Sequence, residues 1–458
     1  MMWKNLLIRC LTAIMAFSVI SAEPASQTDL SDVIPTPFVD WGQEIVTGVT
    51  QPTDTPEPTV TAAPTATPTA APTPTATPTA TPMLPAEDIT LDCTLNGYVG
   101  ITHPTSMRDN NYGTAWTSYK RDGVHQLTVS APEGKTIGGI LIRWRSWPMA
   151  AAVQVLKKGE WVTVASCDAD FMAQYIPLPG LSDFRVISRD DEGQTRLQIC
   201  EVTIVTPGEL PEDFQVWEKP PEKIDLMLFA THPDDEVLWF GGLLPTYGGE
   251  RGKDVLVVCA AHNNYQRRLE LCDSLWTCGI HIYPHFLSYG DVMYSDQMKI
   301  YSDWGGRNKV YGDIVELYRQ YRPDVVVTQA VEGESGHSAH KAYSRACRET
   351  VALAADASQY PESAALYGTW DIPKVYVHLW EENQITMDWH VPLARFGGMN
   401  GMEVAALAFT RHVTQRGKFY SVREGGDTDC SLFGLFHTSV GRDIEKNDLF
   451  EHIPPRSE

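Results

Sequence analysis

The run I-D-L-M-L-F-A-T-H-P-D-D-E at residues 224–236 constrains this chain more than any other feature. Residues 224–230 are almost unbroken in apolar character. Seven such residues are long enough for a buried strand of a parallel sheet, which dispenses with polar alternation. A histidine and three acids follow at once, where such a strand opens into its loop. Ligands and catalytic groups gather at the carboxyl ends of strands in open α/β sheets. His232 and Asp235 are therefore expected to aim at one metal ion, with Asp234 beside them as a base.

A length of 458 residues exceeds one ordinary domain. The formal charge of −22 argues against a nucleic-acid partner, because phosphate binding needs clustered Lys and Arg. Residues 1–22 read as a signal peptide: Lys4 and Arg9 lead into an apolar stretch, 11–22, too short to span a bilayer. Cleavage after Ala22 would make the protein secreted or extracellular, and an uncleaved anchor is the alternative. Residues 23–86 read as a disordered linker, dominated by a Thr/Pro/Ala tract that favours extended polyproline geometry. In exported proteins such a stalk holds a working domain away from a cell wall or surface glycan.

No C-x-x-C pair occurs among the nine cysteines, so a structural zinc site of that type is not expected. Cys93 and Cys200 lie near the two ends of one candidate domain and could bridge in an exported protein. Cys259, Cys272, Cys278 and Cys347 read as small core residues.

Residues 87–206 carry short β-rich runs at 126–129, 137–144, 153–156, 161–165, 184–188 and 197–206, the pattern of an antiparallel β-sandwich. The piece M-R-D-N-N-Y-G-T-A-W-T-S at 107–118 and the closing L-Q-I-C-E-V-T-I-V-T resemble discoidin-like, galactose-binding-like jelly rolls of the coagulation-factor type C group. That resemblance implies sugar binding through loops at one end, and a structural Ca2+. Tyr112, Trp116, Trp144 and Trp147 are candidates for stacking on a sugar. Burial in the core is the competing reading, strongest for Trp116.

Residues 207–222 are rich in proline and acids and read as a linker. From 223 to 458 strands alternate with helices. Strands are expected at 224–230, 254–260, 280–286, 324–329 and 374–379, and helices at 237–248, 265–277, 309–321, 341–355 and 404–416. This alternation predicts an α/β domain with a Rossmann-like, mostly parallel sheet and helices on both faces.

A second polar cluster, V-E-G-E-S-G-H-S-A-H-K-A, follows the apolar V-V-V-T-Q. If Ser338 opens a helix, His337 and His340 share one face of it. T-H-P-D-D-E resembles the [PA]-H-P-D-D-E signature of PIG-L/LmbE-like de-N-acetylases, and H-S-A-H takes the place of that family's G-H-x-D-H element. R-R-L-E-L-C-D-S-L-W-T-C-G-I, F-L-S-Y-G-D, Y-R-P-D-V-V-V-T, V-Y-V-H-L and R-H-V-T-Q are similar to its further elements, in order, across 224–415.

The resemblance implies zinc on His232, Asp235 and His340, with Asp234 as general base. It makes His337 the group that steadies the oxyanion or protonates the amine, and puts Arg267 and Asp291 at the sugar. Two imidazoles and a carboxylate leave a position open for water, as catalytic zinc requires, although iron(II) accepts the same ligands. Glu236 reads as a helix-cap acid, and His412 as a core or capping histidine. His262, His281, His285, His378, His390 and His437 show no partner pattern. Ala339 replaces the family's second acid, Ser335 stands where aromatic residues often flank the histidines, and Thr231 replaces Pro or Ala.

The expectation is an exported zinc amidohydrolase that removes acetyl groups from N-acetylglucosamine-type sugars and is held on glycan by the sandwich. A non-catalytic carbohydrate-binding surface protein with a structural α/β domain is the alternative. A third reading, an enzyme for another amide such as a thiol-conjugated sugar, fits poorly with a signal peptide and stalk.

Overall fold

The apolar runs after residue 93 pair into two antiparallel sheets. The computed structural model describes residues 84–96, 104–145, 149–261, 264–418 and 420–455. The expected signal peptide, nearly all of the Thr/Pro tract, Trp147 and His262 lie outside the described residues. One sheet orders Thr94–Asn96, Val124–Ser130, Asp183–Ser188, Ala151–Lys157 and Glu160–Cys167; the other orders Trp116–Thr117, Gln198–Val205, Ile137–Trp144 and Ala173–Leu181. Ile140, Ile142 and Ile204 of the second sheet share a core with Leu127, Val153 and Val186 of the first.

Leu141, between two inward isoleucines, points the other way and joins a core that belongs mostly to residues after 210. Burial on both faces is why I-G-G-I-L-I reads as one apolar run. Ala173–Leu181 is a strand the sequence reading omits. It tolerates Pro177 and Pro179 because it lies at the sheet edge, paired only with Ile137–Trp144.

Three open readings for this part are decided. Cys93 and Cys200 are free thiols: Cys93 lies in the core between the sheets, whereas Cys200 enters the second core from the opposite face of its strand. Trp116 and Trp144 are both 0% exposed and so are packing residues. Tyr112 donates its hydroxyl to Asp273 Oδ2 at 2.8 Å, which commits it to the α/β side.

The 207–222 segment, expected as a linker, is a packed strap. It buries Phe214 and Trp217. Glu218 exchanges backbone hydrogen bonds of 2.9 Å with the chain at His281 and Tyr283, and Trp217 sets its edge against Trp276 and Tyr283. The Tyr283 hydroxyl accepts from Met172 N at 2.9 Å. Apolar and polar contacts thus join the two-sheet part to the α/β part.

In the α/β part seven strands form one sheet in the order His285–Tyr289, Val255–Ala261, Leu226–Ala230, Val325–Thr328, Lys374–His378, Leu432–Thr438 and Ile385–Thr386. The first five are parallel; the last two form an antiparallel edge. Along Leu226–Ala230, Leu226, Leu228 and Ala230 face one core and Met227 and Phe229 the other, so both faces are covered.

The strand expected at 280–286 forms at His285–Tyr289. The helix expected at 237–248 is cut to Asp235–Leu238, with a π turn at Pro245–Glu250. The cut falls at Gly241 and Gly242: Gly241 has φ +53°, and a Cβ on Gly242 would lie 3.0 Å from the backbone of Gly401. Helix Gly401–Phe409 approaches at that point.

The strand order reverses at Leu226–Ala230. Val255–Ala261 lies on one side of it and Val325–Thr328 on the other. The carboxyl ends of the two strands that precede the polar clusters are therefore neighbours at a topological switch point.

Candidate active site

His232 leaves its strand with its backbone N–H donating to Asp235 Oδ2 at 2.7 Å. Gln329, at the end of the adjacent strand, donates to the same oxygen at 2.9 Å, and Trp239 Nε1 donates to Oδ1 at 2.7 Å. Three donors therefore aim this carboxylate. Burial works against its charge, yet the facing His340 and His232 rings hold it well below the ordinary carboxylate range. Helix Ser338–Glu349 opens three residues before the expected 341–355, at the Ser338 start that puts both histidines on one face, with His337 as its N-cap and His340 in its first turn.

The geometry brings the two clusters together. His232 Nδ1 and His340 Nε2 are 2.9 Å apart, and Asp235 Oδ2 lies 3.5 Å from the first and 3.2 Å from the second. The outer nitrogens are engaged as well. His340 Nδ1 donates to the Glu334 carbonyl at 3.2 Å, and His232 Nε2 faces Asp291 Oδ1 at 3.2 Å. Such outer partners fix the tautomers and leave the inner nitrogens to a shared cation. Burial opposes charge on His232, but Asp235 and Asp291 raise its pKa to about 9. The spot between these groups thus favours positive charge, which a proton or a metal ion can supply.

The ligand atoms of His232, His337 and His340 all lie within 4.8 Å of one another, so the three could hold a metal. His337 Nδ1, however, accepts from Ala339 N at 3.2 Å. That bond places the ring proton on Nε2, which lies against the Met293 sulfur. Burial, with His340 and His232 alongside, lowers its pKa to about 4. A neutral His337 offers an N–H at the rim, and Asp235 is the better third donor beside His232 and His340.

Asp234 is almost buried. Burial and the neighbouring Asp235 charge lift its carboxyl to about 6, against the pull of Arg267. Arg267 Nη2 sits 3.1 Å from Asp234 Oδ1 and also donates to the Pro233 carbonyl. Arg267 and Asp291, expected at the sugar, are thus engaged by the site's own side chains while still lining its cleft of ≈ 270 Å³.

Sequence reasoning missed several parts. Glu334, Trp239, Gln415, Lys418 and Tyr420 line the same cleft. His378, read as unpartnered, meets Glu334 Oε1 at 2.8 Å and the Asp429 carbonyl at 2.8 Å. His412 is buried against Glu236 Oε1 at 2.7 Å. A Glu–His pair remote in sequence leaves no local spacing to read. Glu236 does cap locally, accepting from Asp234 N at 2.8 Å.

In the two-sheet part, Asp109 accepts from Thr114 Oγ1 at 2.8 Å, and Glu201 accepts from Asn111 N at 3.0 Å. Burial, with Asp109 hydrogen-bonded to it, raises the Glu201 carboxyl to about 7.

Residues 227–351 match the family model described as PIG-L: GlcNAc-PI de-N-acetylase. A curated relative from Catenulispora acidiphila, "1D-myo-inositol 2-acetamido-2-deoxy-alpha-D-glucopyranoside deacetylase 1", is 26% identical over 178 residues, 33% of this chain and 54% of that protein. The corresponding deacetylase 2 of Saccharopolyspora erythraea is 30% identical over 178 residues, 33% of this chain and 63% of that protein. The chain thus spans between half and two thirds of the length of these relatives. The solved N,N'-diacetylchitobiose deacetylase of Pyrococcus horikoshii aligns with a TM-score of 0.32 and 19% identity, over 42% of this chain and 70% of that one.

Proposed function

We propose that this protein is an exported, metal-dependent amidohydrolase that removes the acetyl group from N-acetylglucosamine-type sugars or glycoconjugates. The observation that carries the reading is the convergence of His232 Nδ1, His340 Nε2 and Asp235 Oδ2 with Asp234 beside them. Two imidazole nitrogens and a carboxylate oxygen are a donor set suited to zinc or iron(II). When bound, such an ion supplies Lewis acidity, polarising an amide carbonyl and acidifying water.

Asp234, lifted toward neutral pH, takes the proton of the attacking water and returns it to the amine nitrogen as the C–N bond breaks. Arg267 holds the Asp234 carboxylate in place. His337, neutral and with its N–H at the rim, donates to the oxygen that gains charge. A cleft of ≈ 270 Å³ suits one sugar ring with its acetamide. In this reading the α/β sheet is Rossmann-like, the signal segment directs secretion, and the stalk serves attachment at a cell wall or surface glycan.

The test is metal removal. Chelation is expected to abolish acetate release from N-acetylated glycans, and zinc or iron(II) to restore it. Full activity in metal-free protein would sink the proposal.

We further propose that the two-sheet part is a discoidin-like jelly roll holding Ca2+ through Asp109, Glu201 and Thr114, a set of hard oxygen donors. Without the ion, the raised Glu201 pKa means that the folded form holds its proton more tightly than the unfolded chain. That contribution is full below the ordinary glutamate range and is lost as pH rises through about 7. In EDTA, thermal stability is therefore expected to fall between pH 5 and pH 8, and excess calcium should remove the slope. An identical pH dependence with and without calcium would count against the ion.

A further inference from the structure

Asp234 carries the most unusual backbone in the described protein. Its φ is 124°, whereas every other described non-glycine residue with positive φ lies between 45° and 66°, the ordinary left-handed well. Strain of this kind persists only where the surroundings over-determine it.

The surroundings here are specific. The Asp234 N–H donates to Glu236 Oε2 at 2.8 Å. Glu236 Oε1 in turn accepts from Ser274 Oγ at 2.6 Å and faces His412 Nε2 at 2.7 Å. Glu236, Ser274 and His412 are all 0% exposed. Ser274 and Arg267 lie seven residues apart on helix Tyr265–Thr277, so they share one face. That face holds the Asp234 carboxylate through Arg267 and its peptide nitrogen through Ser274 and Glu236. His412 follows helix Gly401–Phe409 in the chain. Its imidazole meets the buried Glu236 carboxylate directly, and the Glu236 charge raises the His412 pKa against the effect of burial. A buried carboxylate oxygen that loses a hydrogen-bonding partner turns toward another donor.

We propose that His412 is a positioning residue for the general base: by pairing with Glu236 it keeps that carboxylate on the Asp234 peptide, and so holds the strained backbone that aims the Asp234 side chain. The proposal rests on the reading of Asp234 as base. It assigns a purpose to a histidine that touches neither the cleft nor the metal-binding groups. It also accounts for both carboxylate oxygens of Glu236, which a simple helix cap does not.

His412→Gln is the main variant, because it keeps much of the volume while removing the imidazole that meets Glu236. With a small N-acetylated amino sugar and a metal-loaded enzyme, kcat is expected to fall by about 10–100-fold, the size of effect a misplaced catalytic group produces. KM and bound metal should stay near wild type. Added to Asp234→Asn, the same change should cost less than about twofold, because residues acting through one group are not additive. Hydrogen–deuterium exchange reads the geometry without activity: the Asp234 amide is expected to exchange faster in His412→Gln.

Ser274→Ala, which removes the other side-chain partner of Glu236, should shift exchange and kcat in the same direction, and it carries the test if His412→Gln does not fold. Unchanged protection of the Asp234 amide, or a loss that multiplies in full on Asp234→Asn, overturns the proposal. If the wild type releases no acetate, or Asp234→Asn keeps full activity, the de-N-acetylase reading fails instead, and the exchange measurement still decides the role of His412.

Discussion

Asp234→Asn is expected to cut acetate release by about 10²–10⁴-fold, the contribution of a well-placed general base and acid. Bound metal should not change, since the groups proposed to hold it are His232, Asp235 and His340, and Asp234 is turned to Arg267. The amide variant keeps the size of the side chain and its contact with Glu236, which runs through the backbone N–H. Loss of turnover with intact metal therefore isolates proton transfer from binding.

The wild-type pH profile is a companion measurement. Burial and Asp235 raise the Asp234 carboxyl, so with Asp234 in the proposed role of base, activity is expected to be lost as pH falls through a range above that of ordinary carboxylates. An Asp234→Asn enzyme that turns over normally would end the assignment of this residue as base.

Removing the two-sheet part is expected to have the other large effect. The α/β part is not an independent body: Leu141, Met172, Ala173, Cys200 and Val205 share one core with Trp217, Leu271, Cys272 and Tyr283. Burying a Leu, Met or Val side chain is worth roughly 1.5–3 kcal/mol. Losing several such partners, and with them the contacts of Tyr283 and Asp273, consumes most of a typical stability of about 5–15 kcal/mol.

A chain beginning at residue 223 is therefore expected to be insoluble or to melt far below the full protein. The full protein should show one cooperative calorimetric transition for both parts. Two well-separated transitions, or a fully active isolated α/β part, would show that the shared core contributes little. The same packing bears on glycan holding, since the candidate stacking residues Tyr112, Trp116 and Trp144 are already engaged within the protein.

Much of the site was legible because its chemistry is local. Residues 224–236 combine a doubly buried strand with the loop that follows it, so an unbroken apolar run ends directly in the polar cluster. The His337–His340 spacing was readable for the same reason: an N-cap and a first turn lie within four residues. The helix expected at 265–277 is found at Tyr265–Thr277, where Asn264 caps it by accepting from Gln266 N. Misreadings fell where a partner from elsewhere overrides local preference. Gly241 and Gly242 look like tolerated glycines until Gly401 is seen against them. The 207–222 strap looks like a linker because its prolines and acids face out while Phe214 and Trp217 face in.

By itself the sequence determined which side chains can do chemistry and on which strand ends they sit, since strand burial and loop onset are written in neighbouring residues. Only the tertiary structure decided how those residues are aimed. It joined His232 to His340 across 108 positions, turned Asp291 onto His232, and put His412 behind Glu236 and His378 behind Glu334. The physical reason is that a charge or a strained peptide held in a low-dielectric interior needs a partner in space. The chain can supply that partner from any distance along its length.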